Sequence, residues 1–476
     1  MRERIRDAGP YEFPLADSAR AVIRPHVRLL FVILPATFLL LALIFPLSVG
    51  SIGFVLAVTV FSSLNWYRWR LRNDPIQEGG ETDAPDAAID KLPSFTIIIP
   101  LKNEGRVVHR TFDAVRALEY PAERIQVLVT VEDNDALTHA TIRSYDLPRN
   151  FHVVRIPCRP PFTKGRALQH ALPLARGRYL TILDAESRPE KYQLLKAARV
   201  LETADGPVCA QAVIKIENKN DNIITRWFAA EYIEWFYKHQ RRLVAEGMPL
   251  GLAGNSFYLS TELLRSIGGW DMYNVTEDAD LAVRLVERGV RFEHLNSVTF
   301  EPCPRTLDAW VKQRVRWNKG LMVTKLLHLS KPGFGFKTFN RAQWYNFWYR
   351  MLCGGLVPYA FLFTLITGTW IAHFGANWHL TVLNVLMIGN LLVSFVVAYK
   401  TDGLNMRHMG LPSSPWRLTL GILCYWTMFL WAGLRAYAEY VLAPLRWHKT
   451  DHDILVDDAQ AEATQQQAAT AVTAVS

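Results

Sequence analysis

Phe95-Thr-Ile-Ile-Ile-Pro100, Val127-Leu-Val-Thr-Val131 and Tyr179-Leu-Thr-Ile-Leu183 are three short apolar runs rich in β-branched residues. Runs of this kind read as buried strands. Helical patterns lie between them, at 106–118 and 164–175. Strands alternating with helices predict a parallel, doubly wound α/β sheet. Such a sheet binds its ligands beyond the carboxyl ends of its strands. The residues just past the end of each run therefore matter most.

Acidic residues stand there in all three cases. Lys102-Asn-Glu104-Gly comes after the first, Glu132-Asp133-Asn-Asp135 after the second and Asp184-Ala-Glu186 after the third. Any one of them could be a solvated loop residue or a helix cap. Together they line one edge of the predicted sheet. Two carboxylates separated by one residue suit a hard divalent cation, which prefers oxygen ligands. Further on, Thr276-Glu277-Asp278 opens an amphipathic helix at 279–288, where Thr276 or Asp278 could act as its cap. Gln313-Arg-Val-Arg316-Trp317 comes next in a basic, aromatic stretch that could also anchor at a membrane interface.

The chain has 476 residues, half of them hydrophobic and only 20% charged. Its apolar residues are concentrated. No Asp, Glu, Lys or Arg occurs from Leu29 to Tyr67 or from Met351 to Tyr399. A bilayer crossing needs about 20 apolar residues, so each stretch predicts a hairpin of two spans. The first would turn at Gly50-Ser51; the second would cross near 352–372 and 380–399. The stretch 418–442 is short for a crossing, and its basic exit at Arg446 and Lys449 favours a re-entrant or interfacial path. Lys and Arg flank the inward span ends and are missing from both external loops, which places 68–350 in the cytosol. The net charge of +9 tracks these flanks and forms no single stripe, which argues against nucleic acid. Five cysteines without metal or disulfide spacing read as reduced thiols.

The ordered set of strand-NEG, acidic cluster, Lys164-Gly-Arg-Ala, Asp184-Ala-Glu186, TED at 276–278 and QxxRW at 313–317 resembles the family 2 glycosyltransferases. It is most similar to their membrane-embedded cellulose-synthase-like and exopolysaccharide-synthase branch. Asp-Ala-Glu departs from the commoner Asp-x-Asp, and no FxVTxK gating sequence is visible. The resemblance implies an α/β GT-A (Rossmann-like) cytosolic domain inserted between α-helical transmembrane segments. The implied division is a transmembrane hairpin with basic flanks at 1–72, a linker at 73–93 and the GT-A domain at 94–305. Interfacial helices at 306–350, a transmembrane region at 351–455 and a disordered tail at 456–476 complete it.

The resemblance further implies an inverting hexosyltransferase of a bacterial-type inner or plasma membrane, using a UDP-sugar and Mg²⁺ or Mn²⁺. The acceptor would be a growing β-linked polysaccharide or, alternatively, a membrane lipid that receives one sugar. Asp184 and Glu186 would hold the metal. Glu104, Glu132, Asp133 and Lys164 would bind the nucleotide. Asp278 would be the general base, with Glu277 beside it and Arg316 meeting the leaving charge. Gln313, Trp317 and Trp270 would contact the acceptor, Trp270 being equally well explained by packing. Gly268 and Gly269 would permit close backbone approach near it.

Overall fold

The computed structural model describes residues 5–7, 9–14, 17–44, 46–71, 76, 83, 92–246, 251–331 and 378–446. The expected span at 352–372, the 456–476 tail and most of the 73–93 linker lie outside the described residues.

The sheet order is β1-β4-β3-β2-β5-β8-β7-β9-β6. The strands are β1 (Ile5–Asp7), β2 (Phe95–Leu101), β3 (Ile125–Glu132), β4 (Phe151–Ile156), β5 (Tyr179–Ile182), β6 (Arg188–Pro189), β7 (Val208–Ile216), β8 (Phe257–Ser260) and β9 (Arg291–Glu301). The run from β1 to β5 is parallel, as the alternation of strands and helices predicts. The rest is mixed: β8 is antiparallel to both β5 and β7, while β7 and β9 are parallel. An all-parallel sheet is thus corrected to a mixed one. The cause is local. The chain comes back to the sheet at the carboxyl edge, so β8 runs backwards and Gly254-Asn-Ser256 is set beside the end of β5.

Helices cover both faces. On one, α3 (Val108–Arg116) and α6 (Gln193–Thr203) bury Phe112, Val115 and Leu194 against Ile97, Val127 and Val129. On the other, α5 (Lys164–Ala171) and α10 (Glu277–Glu287) bury Leu168, Leu281 and Leu285 against Ile98, Leu128 and Ile182. The strands are buried on both sides, which is why they read as unbroken apolar runs rather than alternating ones.

The remaining helices are α1 (Pro25–Ile44), α2 (Pro46–Leu71), α4 (Ala136–Ser144), α7 (Ile223–Ile233), α8 (Arg241–Ala245), α9 (Thr261–Ser266), α11 (Leu307–Leu329), α12 (Trp378–His408) and α13 (Pro415–Leu442). Gly50 and Ser51 lie inside α2, so the first apolar stretch does not turn there as the sequence predicts. Among the described residues, Asn384–His408 and Pro415–Leu442 are long and apolar enough to cross a bilayer, and Pro25–Thr37 is a shorter apolar stretch.

α12 runs beside α2, joined by Asn65 and Ser394 (2.8 Å), and reaches the sheet domain at Asn405, which donates to the Ala230 carbonyl (3.2 Å). α13 behaves differently. Tyr425 stacks on Trp227 (5.8 Å) and packs on Trp310 (5.3 Å); Glu439 meets Lys319 (3.3 Å); the Tyr440 hydroxyl donates to the Val22 carbonyl (2.8 Å). The helix thus lies against α7 and α11 over most of its length, with Leu420, Leu423 and Trp431 exposed on its outer face. This continuous path removes a re-entrant turn at 418–442.

Candidate active site

Four elements converge at the carboxyl edge. Thr163 caps α5, its hydroxyl accepting from Arg166 N (3.3 Å) and donating to the Met272 carbonyl (2.7 Å). That cap places Lys164 at the first helical position. The Lys164 ammonium donates to Asp184 Oδ1 and to the Gly254 carbonyl (2.9 Å). Asp184 Oδ2 accepts from Asn255 Nδ2 (3.1 Å). Asp278 comes from the opposite side, in the first turn of α10. A Cβ on Gly254 would stand 3.3 Å from Asp278 Oδ2 and 3.7 Å from Lys164 Nζ, and the residue has φ +83°. Glycine therefore keeps open the space between base candidate and ammonium, in a backbone conformation few other residues adopt.

The electrostatics fit a site built for anionic and cationic partners at once. Burial works against the Lys164 charge, but Asp184, Glu277 and Asp278 outweigh it and raise its pKa. Burial likewise works against the Asp184 charge, and Lys164, Asn255 and Arg316 hold its pKa down. Glu277 is pushed up to about 7 by burial and by its neighbour Asp278. Burial raises Asp278 too, opposed by Lys164 and Arg316. Arg316 of α11 thus acts on both Asp184 and Asp278, and the structure brings together Lys164, Asp184, Glu277, Asp278 and Arg316. Thr276 occupies the cap position of α10 without a side-chain cap bond.

Glu132 lies to one side, 3.5 Å from Arg166 and 3.7 Å from Lys102, which also covers the Phe162 ring at 4.6 Å. Asp133 is exposed. Glu104 is held by its backbone N–H, which donates to Thr138 Oγ1 (3.0 Å). Glu186 is buried, and its charge adds to that of Asp184 in raising Glu301.

Two sequence expectations, for Trp270 and for Gly268 and Gly269, are corrected. Trp270 is fully buried in the core between α5 and α10, leaving no face for a sugar. Trp317 is part of a cage around the Arg314 guanidinium (4.5 Å), together with Phe228, Trp310 and Phe429. One face of the ring serves this cation–π contact, and the side chain is only partly buried, so Trp317 stays an acceptor candidate. Gly268 (φ +86°) and Gly269 admit Pro14 and Gln169 rather than an acceptor. Gln313 stays a candidate: it is buried, and its Oε1 has no hydrogen-bond partner among the described residues.

Other elements were not foreseen. Residues 9–14 and 17–22 strap across the domain: Tyr11 exchanges bonds with Gln169, and Ser18 Oγ (3.0 Å) and Ala19 N (2.5 Å) donate to the Asp271 carboxylate. Asn255 and Glu301 were also missed, although Gly-Asn-Ser just before the apolar run Phe257-Tyr-Leu is a turn signal that could have pointed to Asn255.

The family model for glycosyl transferase family group 2 matches residues 179–443, more than half of the chain. The chain belongs to that family. It is a glycosyltransferase. The beta-monoglucosyldiacylglycerol synthase of Synechocystis sp. is 27% identical over 395 residues, covering 79% of this chain and 78% of that protein. The probable glycosyltransferase YdaM of Bacillus subtilis is 24% identical over 244 residues, 51% of this chain and 58% of its own length. The probable glucomannan 4-beta-mannosyltransferase 1 of Arabidopsis thaliana is 24% identical over 262 residues, 53% of this chain and 46% of its own length. The chain thus spans about half the length of these last two relatives. Among solved structures, the mannosyltransferase PcManGT from Pyrobaculum calidifontis, in complex with GDP-Man and Mn²⁺, aligns with a TM-score of 0.54. Its sequence is 17% identical, and the alignment covers 82% of this chain and 98% of that one, which supports the GT-A fold.

Proposed function

We propose that this family 2 glycosyltransferase moves one sugar, with inversion, from a UDP-sugar to a membrane lipid. The observation that carries the chemistry is the gap at Gly254, with Asp278 on one side and Lys164 and Asp184 on the other. In this reading Asp278 takes the proton of the acceptor hydroxyl as its oxygen attacks the anomeric carbon. The bond from that carbon to the diphosphate oxygen breaks, and Lys164 and Arg316 meet the charge that develops on the leaving diphosphate. Glu277, pushed up to about 7 by burial and by Asp278, shares a proton with that carboxylate near neutral pH. Glu132, with Lys102 and Arg166, flanks the side where nucleoside would lie, and Glu104 and Asp133 border it.

Asp184 and Glu186 suit Mg²⁺ or Mn²⁺. Both are hard oxygen donors, and the Lys164 ammonium already rests against Asp184 as a cation. Among the described residues, no group of three or more His, Cys, Asp or Glu side chains gathers to hold a metal. Two carboxylates with diphosphate and water as the remaining ligands is an ordinary arrangement for such ions. A bound ion would supply Lewis-acid stabilisation of the departing diphosphate.

The acceptor assignment places a lipid ahead of the polysaccharide that the motifs favour. Its support is the Synechocystis lipid glucosyltransferase, whose similarity extends over most of both chains. Exposed apolar faces on α1, α12 and α13, Leu34, Val385 and Trp431 among them, support a multi-pass membrane location with the sheet domain in the cytosol. The glucomannan mannosyltransferase relatives favour polymer synthesis as the second reading. Purified protein with Mn²⁺ or Mg²⁺, a panel of UDP- and GDP-sugars and diacylglycerol vesicles tests the choice. A single glycolipid from a UDP-sugar is expected. Long polymer would favour the second reading, and turnover of GDP-sugars alone would overturn the donor.

A further inference from the structure

Glu301 ends β9 and has no part in the chemistry proposed for Asp278, yet it is bonded into the turn that carries Asp184. The Asp184 backbone N–H donates to Ser187 Oγ (3.0 Å), and the Ser187 hydroxyl donates to Glu301 Oε1. Asn255 Nδ2 donates to the same Glu301 oxygen (2.5 Å) and to Asp184 Oδ2 (3.1 Å). Ser187 and Asn255 are at most 2% exposed, so water does not compete for these bonds. Asn255 is aimed inward at a cost. The next residue, Ser256, has φ +51°, a left-handed conformation unfavourable for a side chain with a Cβ. The Ser256 N–H to the Ile182 carbonyl (2.8 Å) and the Ser256–Thr299 hydroxyl contact (2.7 Å) hold it there. Backbone strain of this sort persists only where the surroundings over-determine it.

We infer that Glu301 is a positioning residue: through Ser187 and Asn255 it fixes the Asp184–Ser187 turn so that the Asp184 carboxylate faces the divalent cation and diphosphate. The role rests on the proposal that Asp184 and Glu186 hold the metal. One carboxyl oxygen collects the Ser187 hydroxyl and the Asn255 amide, and each leads back to Asp184. A glutamine keeps such an oxygen; an alanine does not.

The test is Mn²⁺ binding by the full chain in detergent with UDP present, free Mn²⁺ being read by electron paramagnetic resonance. Glu301→Ala is expected to weaken binding at least tenfold and Ser187→Ala at least threefold, while Glu301→Gln stays within threefold of wild type. Glu301→Ala that melts cooperatively yet binds Mn²⁺ as wild type overturns the inference. So does Glu301→Gln as weak as the alanine variant, because charge rather than positioning would then matter. If Glu301→Ala does not fold, Ser187→Ala decides: weakened binding supports the role, and unchanged binding overturns it. A wild type that binds no Mn²⁺ with UDP overturns the metal reading itself, an outcome distinct from variants that match a binding-competent parent.

Discussion

Asp278 is the residue on which the proposed chemistry turns. Asparagine in its place keeps the shape and removes the basicity. Asp278→Asn should lower transfer by at least ~100-fold, the usual scale for a general base, with UDP affinity within threefold of wild type. Rates with radiolabelled donor, alongside calorimetric UDP binding, check this; activity within tenfold of wild type would remove the assignment. The pH profile gives a second check. Burial raises Asp278, and burial with Asp278 nearby pushes Glu277 up to about 7, so the pair takes up a proton as pH falls toward and below neutrality. A protonated base cannot act, so kcat/KM should decline on the acid side. Glu277→Gln removes the like charge next to Asp278, which makes its proton easier to lose and should move the acid limb to lower pH. An unmoved limb in a folded, active variant would mean that another group sets it.

At the scale of elements, the Asp184–Glu186 turn should account for metal-dependent nucleotide binding. Asp184→Ala or Glu186→Ala should weaken UDP binding measured with Mn²⁺ at least tenfold, and leave binding in EDTA unchanged. Wild-type turnover undiminished by EDTA would contradict the site. The strap formed by 9–14 and 17–22 makes a separate prediction. Asp271→Ala removes the acceptor of two buried donors, Ser18 Oγ and Ala19 N, at a cost of about 1–3 kcal/mol for each. Trypsin should then cut the exposed Arg20 and Arg24 at least tenfold faster. The strap was illegible because Gly9-Pro-Tyr-Glu-Phe-Pro14 has no periodicity and docks through backbone bonds and one distant carboxylate. The strands β2, β3 and β5 were legible because sheets covered on both faces demand unbroken apolar runs. The direction of β8 was not, since four residues of apolar sequence read the same either way. Asp184, Asp278 and Arg316 could be found because strand ends and motif spacing mark them. Trp270 was misjudged because an aromatic ring packs into a core as readily as onto a sugar, and only burial separates the two.

On the scale of the whole molecule, the path of α13 decides where the chain after it lies. With 28 residues it is about 42 Å long, enough to cross a bilayer. Yet its buried face tracks the sheet domain from Leu418, Ile422 and Tyr425 to Ala436, Glu439 and Tyr440. A helix that touches one domain near both ends lies along it, with Trp416, Leu420 and Trp431 turned outward; in the proposed membrane arrangement that face would meet the headgroup region. Among the described residues, α2 and α12 meet that domain toward their carboxyl ends, Arg68 reaching Glu234 (3.1 Å) and Asn405 reaching Ala230. Positions 80 and 455 should therefore share one side of the membrane. The check is a cysteine scan in intact cells with a membrane-impermeant thiol reagent, in a background of Cys158→Ser, Cys353→Ser and Cys424→Ser; Cys158 and Cys424 are exposed, while Cys209 and Cys303 are buried. Gly80→Cys and Leu455→Cys should both stay unlabelled until the cells are opened. If Leu455→Cys labels from outside while Gly80→Cys does not, α13 crosses and its contacts with α7 and α11 cannot all exist in the membrane. If Gly80→Cys labels from outside, the carboxylate edge faces away from the compartment where UDP-sugars are made, and the proposed donor loses its route to Asp184.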